Sequence, residues 1–253
     1  MDCTLQKAGI WKRMSAYLFD FILLGILAVL AAWLLSMVLG YNSYNDRMTE
    51  YYNQYEALYG IDFDITEEEY LSLSDQQKAA YEEANAAMNQ NSEVLYTYNM
   101  LFNLALIMVT ISIFLAHLIL EFFVPFFFGN GQTLGKRIFG VAVMRTEALR
   151  LTPPILFVRA ILGKYTIETM VPVFLLLLTF FGNSGIVGIA GAILVAVLNV
   201  VVMCITRNNS ALHDLLADTV TVELASQRIF ESREELIAYK KALHAAEAAK
   251  RDY

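Results

Sequence analysis

Four ionisable residues interrupt long apolar stretches of this sequence: Asp20, His117, Glu121 and Glu168. An ionisable group in hydrocarbon is costly, so each is by default a candidate for binding a proton or a cation. With a rise of about 1.5 Å per residue, the three carboxylates are predicted at similar depths, roughly 10 Å from the same side of the membrane. Asn199, at a comparable depth in another apolar stretch, could add a further polar group. Carboxylates crowded in a low dielectric exchange protons near neutrality, which predicts a proton or cation site.

A structural role explains the same carboxylates. Arg13 lies two turns before Asp20 on the same helical face, and Arg159 and Lys164 lie close to Glu168 in the sequence. These cations could neutralise the acids as ion pairs that lock the helices together. Transport and structural pairing therefore both remain open as interpretations.

The sequence shows none of the residue patterns typical of a metal site, a catalytic nucleophile or a phosphate-binding loop. The sequence contains no metal-ligand cluster and no nucleophile–base spacing, and Gly129-Asn130-Gly131 lacks the spacing of a phosphate loop. His213-Asp214 is a lone pair that a cap or an ion pair would explain, and Cys3 and Cys204 are expected to be free thiols. We therefore expect neither enzymatic activity, nor a metal, nor an organic cofactor.

The elements that carry these residues are predicted to be membrane helices. The 253-residue chain is 57% hydrophobic and 17% charged, whereas soluble domains are about a quarter charged. Four apolar segments reach the roughly 20 residues that a bilayer requires. They are residues 14–39, 100–128, 161–181 and 186–206, and Gly182-Asn183-Ser184-Gly185 is predicted to be a tight turn between the last two.

Charge predicts the orientation of these helices. Residues 41–98 contain twelve acidic and two basic side chains, a net charge of −10, whereas residues 130–164 carry a net charge of +5. Because basic loops stay in the cytoplasm, residues 130–164 are expected there, with both termini on the same side. The predicted fold is an all-α integral membrane protein of four transmembrane helices, N-in and C-in, with a helical extracytoplasmic insertion and a small cytoplasmic β element.

The segments outside the membrane follow from local signals. The acidic insertion, 40–99, contains two capping boxes, Thr66 with Glu69 and Ser74 with Gln77. In the basic cytoplasmic loop, 129–160, residues 139–145 alternate as a strand does, with 149–152 as a possible hairpin partner. The remaining segments are a cytoplasmic N-terminus, 1–13, and a cytoplasmic tail, 207–253, with a strand at 219–223 and a helix that Ser232 caps, with Glu235 at the capping-box position. The strand at 219–223 is expected to join 139–145 and 149–152 in one small sheet.

Three ordered motifs resemble the RDD family of bacterial membrane proteins, which is named for an arginine and two aspartates. Arg13 and Asp20 match the first two of these residues, and Asp214 matches the second aspartate. Glu121 stands where the family usually has a carboxylate. A third motif of the family is similar to the loop that contains Gly131, Thr133, Gly135, Lys136 and Arg137. The resemblance covers about residues 8–39 and 100–224, with Asp218 where the family more often has glycine and with a much larger insertion.

The resemblance implies a bacterial inner-membrane location and the four-helix fold. Most members have no assigned activity and some are linked to sodium–proton antiport. The first hypothesis is thus a cation/proton transporter or a transporter subunit, acting on monovalent cations and protons as a homo-oligomer or with a partner membrane protein. The alternative is a non-transporting adaptor that acts through the acidic insertion or the tail. Charges nearly cancel across 207–253, which argues against nucleic acid as a partner.

The sequence also predicts two pairs of neighbours in space. Arg13 and Asp214 are expected to lie close together at the cytoplasmic boundary, because each needs a partner there. Asp20 and Glu121 are expected to border one polar cavity in the inner half of the bundle.

Overall fold

The computed structural model describes residues 6–181 and 186–251. Four helices are long and apolar enough to cross a membrane, which confirms the predicted number: Ile10–Val38, Ser92–Phe128, Pro153–Thr179 and Ile186–Ile205. The predicted turn at 182–185 and Cys3 lie outside the described residues. The described chain divides into two compact units, one running up to Ala28 and again from Ile113 (unit 1), the other covering Val29–Ser112 (unit 2).

Unit 2 includes the insertion between the first two membrane helices, and this insertion is helical, as predicted. It contains the end of α1 (Ile10–Val38), all of α2 (Tyr41–Tyr59), α3 (Glu67–Ser72) and α4 (Asp75–Gln90), and most of α5 (Ser92–His117). Both capping boxes form, at the starts of α3 and α4. Met48, Met88 and Val94 form the small buried core of this unit.

The second and third membrane helices of the chain change their hydrogen-bond pattern partway along. The second runs without a break through α5, a π-helical segment π1 (Leu118–Phe123) and α6 (Val124–Phe128). The third runs through α8 (Pro153–Phe157), π2 (Val158–Met170) and α9 (Val171–Phe181), and α10 covers Ile186–Ile205. π-helical turns are rare and often occur at functional sites.

The third membrane helix begins at Pro153, eight residues before the predicted start of its span at Ile161. The sequence prediction placed Arg159 in the loop because a cation suggests water. Arg159 is instead buried and forms an ion pair with Asp214, so the helix continues through it.

A two-stranded antiparallel sheet is the only sheet among the described residues. It pairs β1 (Val141–Arg145) with β2 (Thr219–Glu223), in a register that sets Val143 opposite Thr221. The prediction that 219–223 joins the strand at 139–145 in one sheet is confirmed, whereas residues 149–152 as the hairpin partner of β1 are wrong. The tight turn after β1 takes Leu149 to a single bridge with Phe230, and Pro153 just beyond has no N–H to extend a ladder.

The sheet and the tail form one core in unit 1. Ala142 and Met144 of β1 pack with Val220 and Val222 of β2, under Phe230 and Leu236. The tail helix α12 (Arg233–Arg251) begins as predicted, since the Glu235 N–H donates to Ser232 Oγ at 3.2 Å. The Glu235 carboxylate accepts from the Glu231 N–H instead of completing the box at Ser232.

Two short helices complete unit 1: α7 (Leu134–Ile138) follows the second membrane helix and α11 (Leu212–Leu216) follows α10. Asp218, just before β2, has a φ of +51°, in the left-handed region that favours glycine. This conformation explains why glycine suits the position, and the Asp218 carboxylate accepts from the Thr146 hydroxyl at 2.7 Å.

Candidate functional site

Unit 1 contains a largely buried set of charged side chains, here called the charge cluster. Its members come from α1, π1, α7, π2 and α11, elements that lie far apart in sequence. They comprise four cations and four carboxylates: Arg13, Lys136, Arg159 and Lys164, with Asp20, Glu121, Glu168 and Asp214. The equal numbers of the two signs keep the formal charge of the set at zero.

Asp20 holds the turn that begins α7. Its carboxylate accepts a hydrogen bond from the Thr133 hydroxyl and another from the Gly135 N–H, at 2.8 Å from Oδ1. Thr133 in turn caps α7 by accepting from the Lys136 N–H at 3.3 Å. The suggested pairing of Asp20 with Arg13 is therefore wrong, because the Arg13 guanidinium donates to the Asn209 carbonyl at 2.8 Å instead.

The other residues of the α7 loop motif shape this turn. A Cβ built on Gly135 would lie 2.9 Å from Asp20 Cγ, so only glycine allows the carboxylate to approach. Gly131 has a φ of +60°, and a Cβ there would lie 2.9 Å from the Val143 carbonyl oxygen. Arg137 stacks its guanidinium 4.3 Å from the centre of the Phe128 ring.

Glu121 lies between two lysines. Lys164 forms an ion pair with Oε1, whereas Lys136 Nζ lies 3.8 Å from Oε2, too far for a hydrogen bond. Glu121 is 3% exposed and Lys136 8%, and neither Oε2 nor the Lys136 Nζ has a hydrogen-bond partner in the structure. Burial, and next the charge of Lys164, lower the pKa of Lys136 to about 7, although Glu121 acts in the opposite direction.

Asp214 is the most fully paired carboxylate. Arg159 Nε lies 2.9 Å from its Oδ1, with both side chains 1% exposed, and the Thr219 hydroxyl donates to the same oxygen. Arg13 Nη2 lies 4.0 Å from Oδ2, which confirms the predicted proximity of Arg13 and Asp214. Burial alone would raise the pKa of Asp214, but Arg159 and then His213 hold that pKa well below its usual range.

Glu168 pairs with His213. Its Oε1 accepts from the His213 N–H at 3.1 Å and lies 2.8 Å from Nδ1. Arg159 and Lys164, the expected partners of Glu168, pair with Asp214 and Glu121 instead. Gly163 permits this contact, since a Cβ there would lie 2.8 Å from His213 Cα.

His117 and Asn199 lie outside these pairs. His117 Nδ1 lies 3.0 Å from the Ile113 carbonyl and Nε2 lies 3.2 Å from Thr169 Oγ1. Asn199 Oδ1 accepts from the Leu212 N–H at 3.2 Å, at the start of α11. Asn199 thus serves a short helix instead of the predicted cavity.

The α7 turn contacts both Asp20 and Glu121, the two residues that were predicted to border one polar cavity. The α7 turn connects the two carboxylates, with Gly135 bonded to Asp20 and the next residue, Lys136, facing Glu121. Sequence analysis missed the bonds of Asp214 to Thr219 and of Glu168 to His213, and it placed Arg159 in a loop, so the Arg159–Asp214 pair was also missed. Among residues 6–181 and 186–251, no three His, Cys, Asp or Glu residues come together as metal ligands.

Comparison with known proteins agrees with the resemblance drawn from the motifs. A family model described as the RDD family matches residues 7–218, a range that includes every member of the charge cluster. Comparisons with curated proteins and with solved structures give no match. The matched range covers well over half of the chain and all three motifs, so this multi-pass membrane protein belongs to the RDD family.

Proposed function

We propose that this protein exchanges a monovalent cation for a proton at Glu121, with Lys136 as the group that carries the proton. The main support is the contact between Glu121 Oε2 and Lys136 Nζ, which are buried 3.8 Å apart without a hydrogen bond. A buried ammonium that lacks hydrogen bonds loses its proton more readily than an exposed one. The pKa of Lys136, about 7, puts that loss in the physiological range.

The exchange follows from charge balance. With Lys136 protonated, the four cations and four carboxylates of the charge cluster balance, and loss of the Lys136 proton leaves the cluster with a net charge of −1. When Lys136 releases its proton to water, Glu121 Oε2 is left without a cation, and a monovalent cation takes the place of the lost charge. Reprotonation of Lys136 then repels that cation. One proton thus replaces one cation at an unchanged total charge.

The remaining carboxylates are better suited to holding the fold. Asp20 accepts from a hydroxyl and an amide, Glu168 accepts from His213, and Asp214 pairs with Arg159. Each would have to break good hydrogen bonds before it could bind an ion, which costs more than exposing the unpaired Glu121 Oε2. These three residues are therefore proposed as structural, in line with the pairing interpretation.

Ion flux in liposomes tests the proposal. Purified protein is reconstituted with a pH-sensitive dye inside, and sodium, potassium or lithium is added outside between pH 6 and 9. We expect a cation-dependent proton flux with a midpoint near pH 7, and no flux from Glu121→Gln. Lys136→Arg should also lose the flux, because arginine stays protonated throughout this range.

Control variants separate chemistry from folding. Lys240→Arg, on the exposed tail helix, should leave the flux unchanged. Each variant must elute from size-exclusion chromatography in detergent as the parent does. Absence of cation-dependent flux from well-folded parent protein, for all three cations, would refute exchange.

The orientation is part of the proposal. The charges of the loops support both termini in the cytoplasm of a bacterium and the acidic insertion, residues 41–98, on the outer side of the inner membrane. In a background with Cys3 and Cys204 replaced by serine, Ser72→Cys should react with an impermeant maleimide in intact cells. Lys241→Cys should react only after lysis, and the opposite pattern would reverse the orientation.

A membrane adaptor is the second candidate, favoured by the surface of unit 2. An open cleft of about 650 Å³ lies between α2 and α5, lined by charged and aromatic side chains such as Arg47, Glu93 and Tyr96. Leu71 of α3 is 65% exposed in the same unit. A photo-crosslinker at Leu71 should then give a discrete adduct with one partner in cells. Exchange that survives replacement of residues 41–90 by a short linker, with no adduct at Leu71 in the full chain, would exclude the adaptor.

A further inference from the structure

We propose that Asp20 is a positioning residue, whose carboxylate fixes Lys136 beside Glu121 and helps to set the pH at which Lys136 loses its proton. The proposal gives a role to a buried acid that the exchange step does not use. It rests on the proposed function only for the role of the Lys136 proton in ion exchange. The position and titration of Lys136 can be measured without any ion flux.

The first support is a chain of hydrogen bonds from Asp20 to the backbone of Lys136. The Thr133 hydroxyl donates to Asp20 Oδ2 and accepts from the Lys136 N–H at 3.3 Å. The Gly135 N–H, directly before Lys136, donates to Asp20 Oδ1 at 2.8 Å. Lys136 therefore cannot shift along the turn without breaking bonds that end at one carboxylate.

Close packing makes this anchor rigid. Asp20 is 4% exposed, and Ala16, one turn earlier in α1, is 2% exposed. A Cβ on Gly135 would collide with Asp20 Oδ1 at 2.9 Å, so the turn lies directly on α1 with no side chain between them. The contact fixes the distance from α1 to the turn as well as its direction.

The second support is electrostatic. The charged groups that act on Lys136 are Lys164 and Arg159, which favour its neutral form, and Glu121 and Asp20, which favour its protonated form. Arg13 donates to Asn209 and faces Asp214, so no arginine pairs with Asp20 among the described residues. The negative charge of Asp20 therefore remains available to stabilise protonated Lys136.

A purely structural cap makes a different prediction. If Asp20 only stabilised α7, its loss would lower the stability of the protein without changing how Lys136 titrates. If Asp20 both positions Lys136 and stabilises its protonated form, removal of the Asp20 charge must change the pH midpoint of Lys136 in a folded protein.

Competitive acetylation measures that titration directly. The full chain in detergent is treated with trace acetic anhydride from pH 5.5 to 9.5, and mass spectrometry compares acetylation of Lys136 with that of exposed Lys240. Asp20→Asn keeps an oxygen for the Gly135 N–H but removes the charge. We expect the Lys136 midpoint to move to lower pH, where a shift of one unit means an about tenfold change in the ratio of its two forms.

Two variants at Thr133 separate position from charge. Thr133→Val keeps the shape and removes the hydroxyl relay, so Lys136 should leave its buried position and its acetylation midpoint should rise. Thr133→Ser restores the hydroxyl and should restore the parent titration. Folding of each variant is checked by circular dichroism and by elution volume.

Each outcome decides the proposal. Folded Asp20→Asn with an unchanged Lys136 midpoint overturns it. If Asp20→Asn does not accumulate, Thr133→Val decides, and an unchanged Lys136 midpoint there overturns the proposal equally. Parent protein that moves no cation but shows the expected acetylation shifts would refute exchange while supporting the role of Asp20.

Discussion

Removal of Arg159 should be among the most damaging single substitutions in unit 1. Arg159 and Asp214 are each 1% exposed and are joined at 2.9 Å, so Arg159→Met leaves a buried carboxylate without its main partner. Breaking such a pair costs about 3–5 kcal/mol. Because the Thr219 hydroxyl still donates at 2.9 Å and Arg13 remains 4.0 Å away, the low end is expected, about 3 kcal/mol.

This loss is large enough to measure by thermal unfolding. For a chain of about 250 residues, 1 kcal/mol shifts Tm by about 2–4 °C, so Arg159→Met should lower Tm by about 6–12 °C in detergent. The double variant Arg159→Met with Asp214→Asn should recover most of that loss, because the buried charge is then removed together with its partner. The amide oxygen that Asp214→Asn introduces can still accept from the Thr219 hydroxyl, which limits the remaining cost.

The exposed pair of Arg233 with Glu147, at 3.0 Å, provides the matched control. Arg233→Met should leave Tm nearly unchanged, since water solvates an exposed partner that loses its ion pair. The pair is not coupled as described if Arg159→Met lowers the free energy of unfolding by less than about 1 kcal/mol. The same conclusion follows if the double variant loses as much stability as the two single variants together.

Two further predictions concern the α7 turn. Gly135→Ala should greatly reduce the yield of folded protein because its Cβ would overlap Asp20. Gly25→Ala, where nothing lies within 4 Å of the new Cβ, should be tolerated, and equal yields of the two variants would contradict the packing. Because folding lowers the pKa of Lys136 from 10.5 to about 7, the unfolded chain binds the extra proton between these values, so stability should rise with pH there. From pH 7 to 9 the parent should gain about 2 kcal/mol relative to Lys136→Met, and parallel pH profiles of Tm would contradict the lowered pKa.

The sequence by itself determined which segments can cross a membrane and how several helices begin. Apolar runs of this length have few alternatives to a spanning helix, because backbone polar groups must be satisfied within the segment. The boxes at Thr66 and Ser74 and the cap at Ser232 form as predicted, since each depends on residues within one turn. The three family motifs were likewise visible without a structure.

Tertiary structure decided most of the charge pairs, although the proximity of Arg13 and Asp214 was predicted from the sequence. Sequence distance favoured Arg13 as the partner of Asp20 and Arg159 as the partner of Glu168, yet the partners came from loops and helices more than 40 residues away. A charge in a low-dielectric interior pairs with whatever group the packing brings within reach, which local spacing does not specify.

The same limit applied to the sheet and to the π-helical segments. The patterns of β1 and β2 identified both strands and one small sheet, but not that β2 instead of residues 149–152 pairs directly with β1. No periodicity signalled π2, which carries Arg159, Lys164 and Glu168. Local sequence fixed the elements because their hydrogen bonds are local, whereas burial of charge and apolar surface, which depends on the whole fold, fixed how those elements combine.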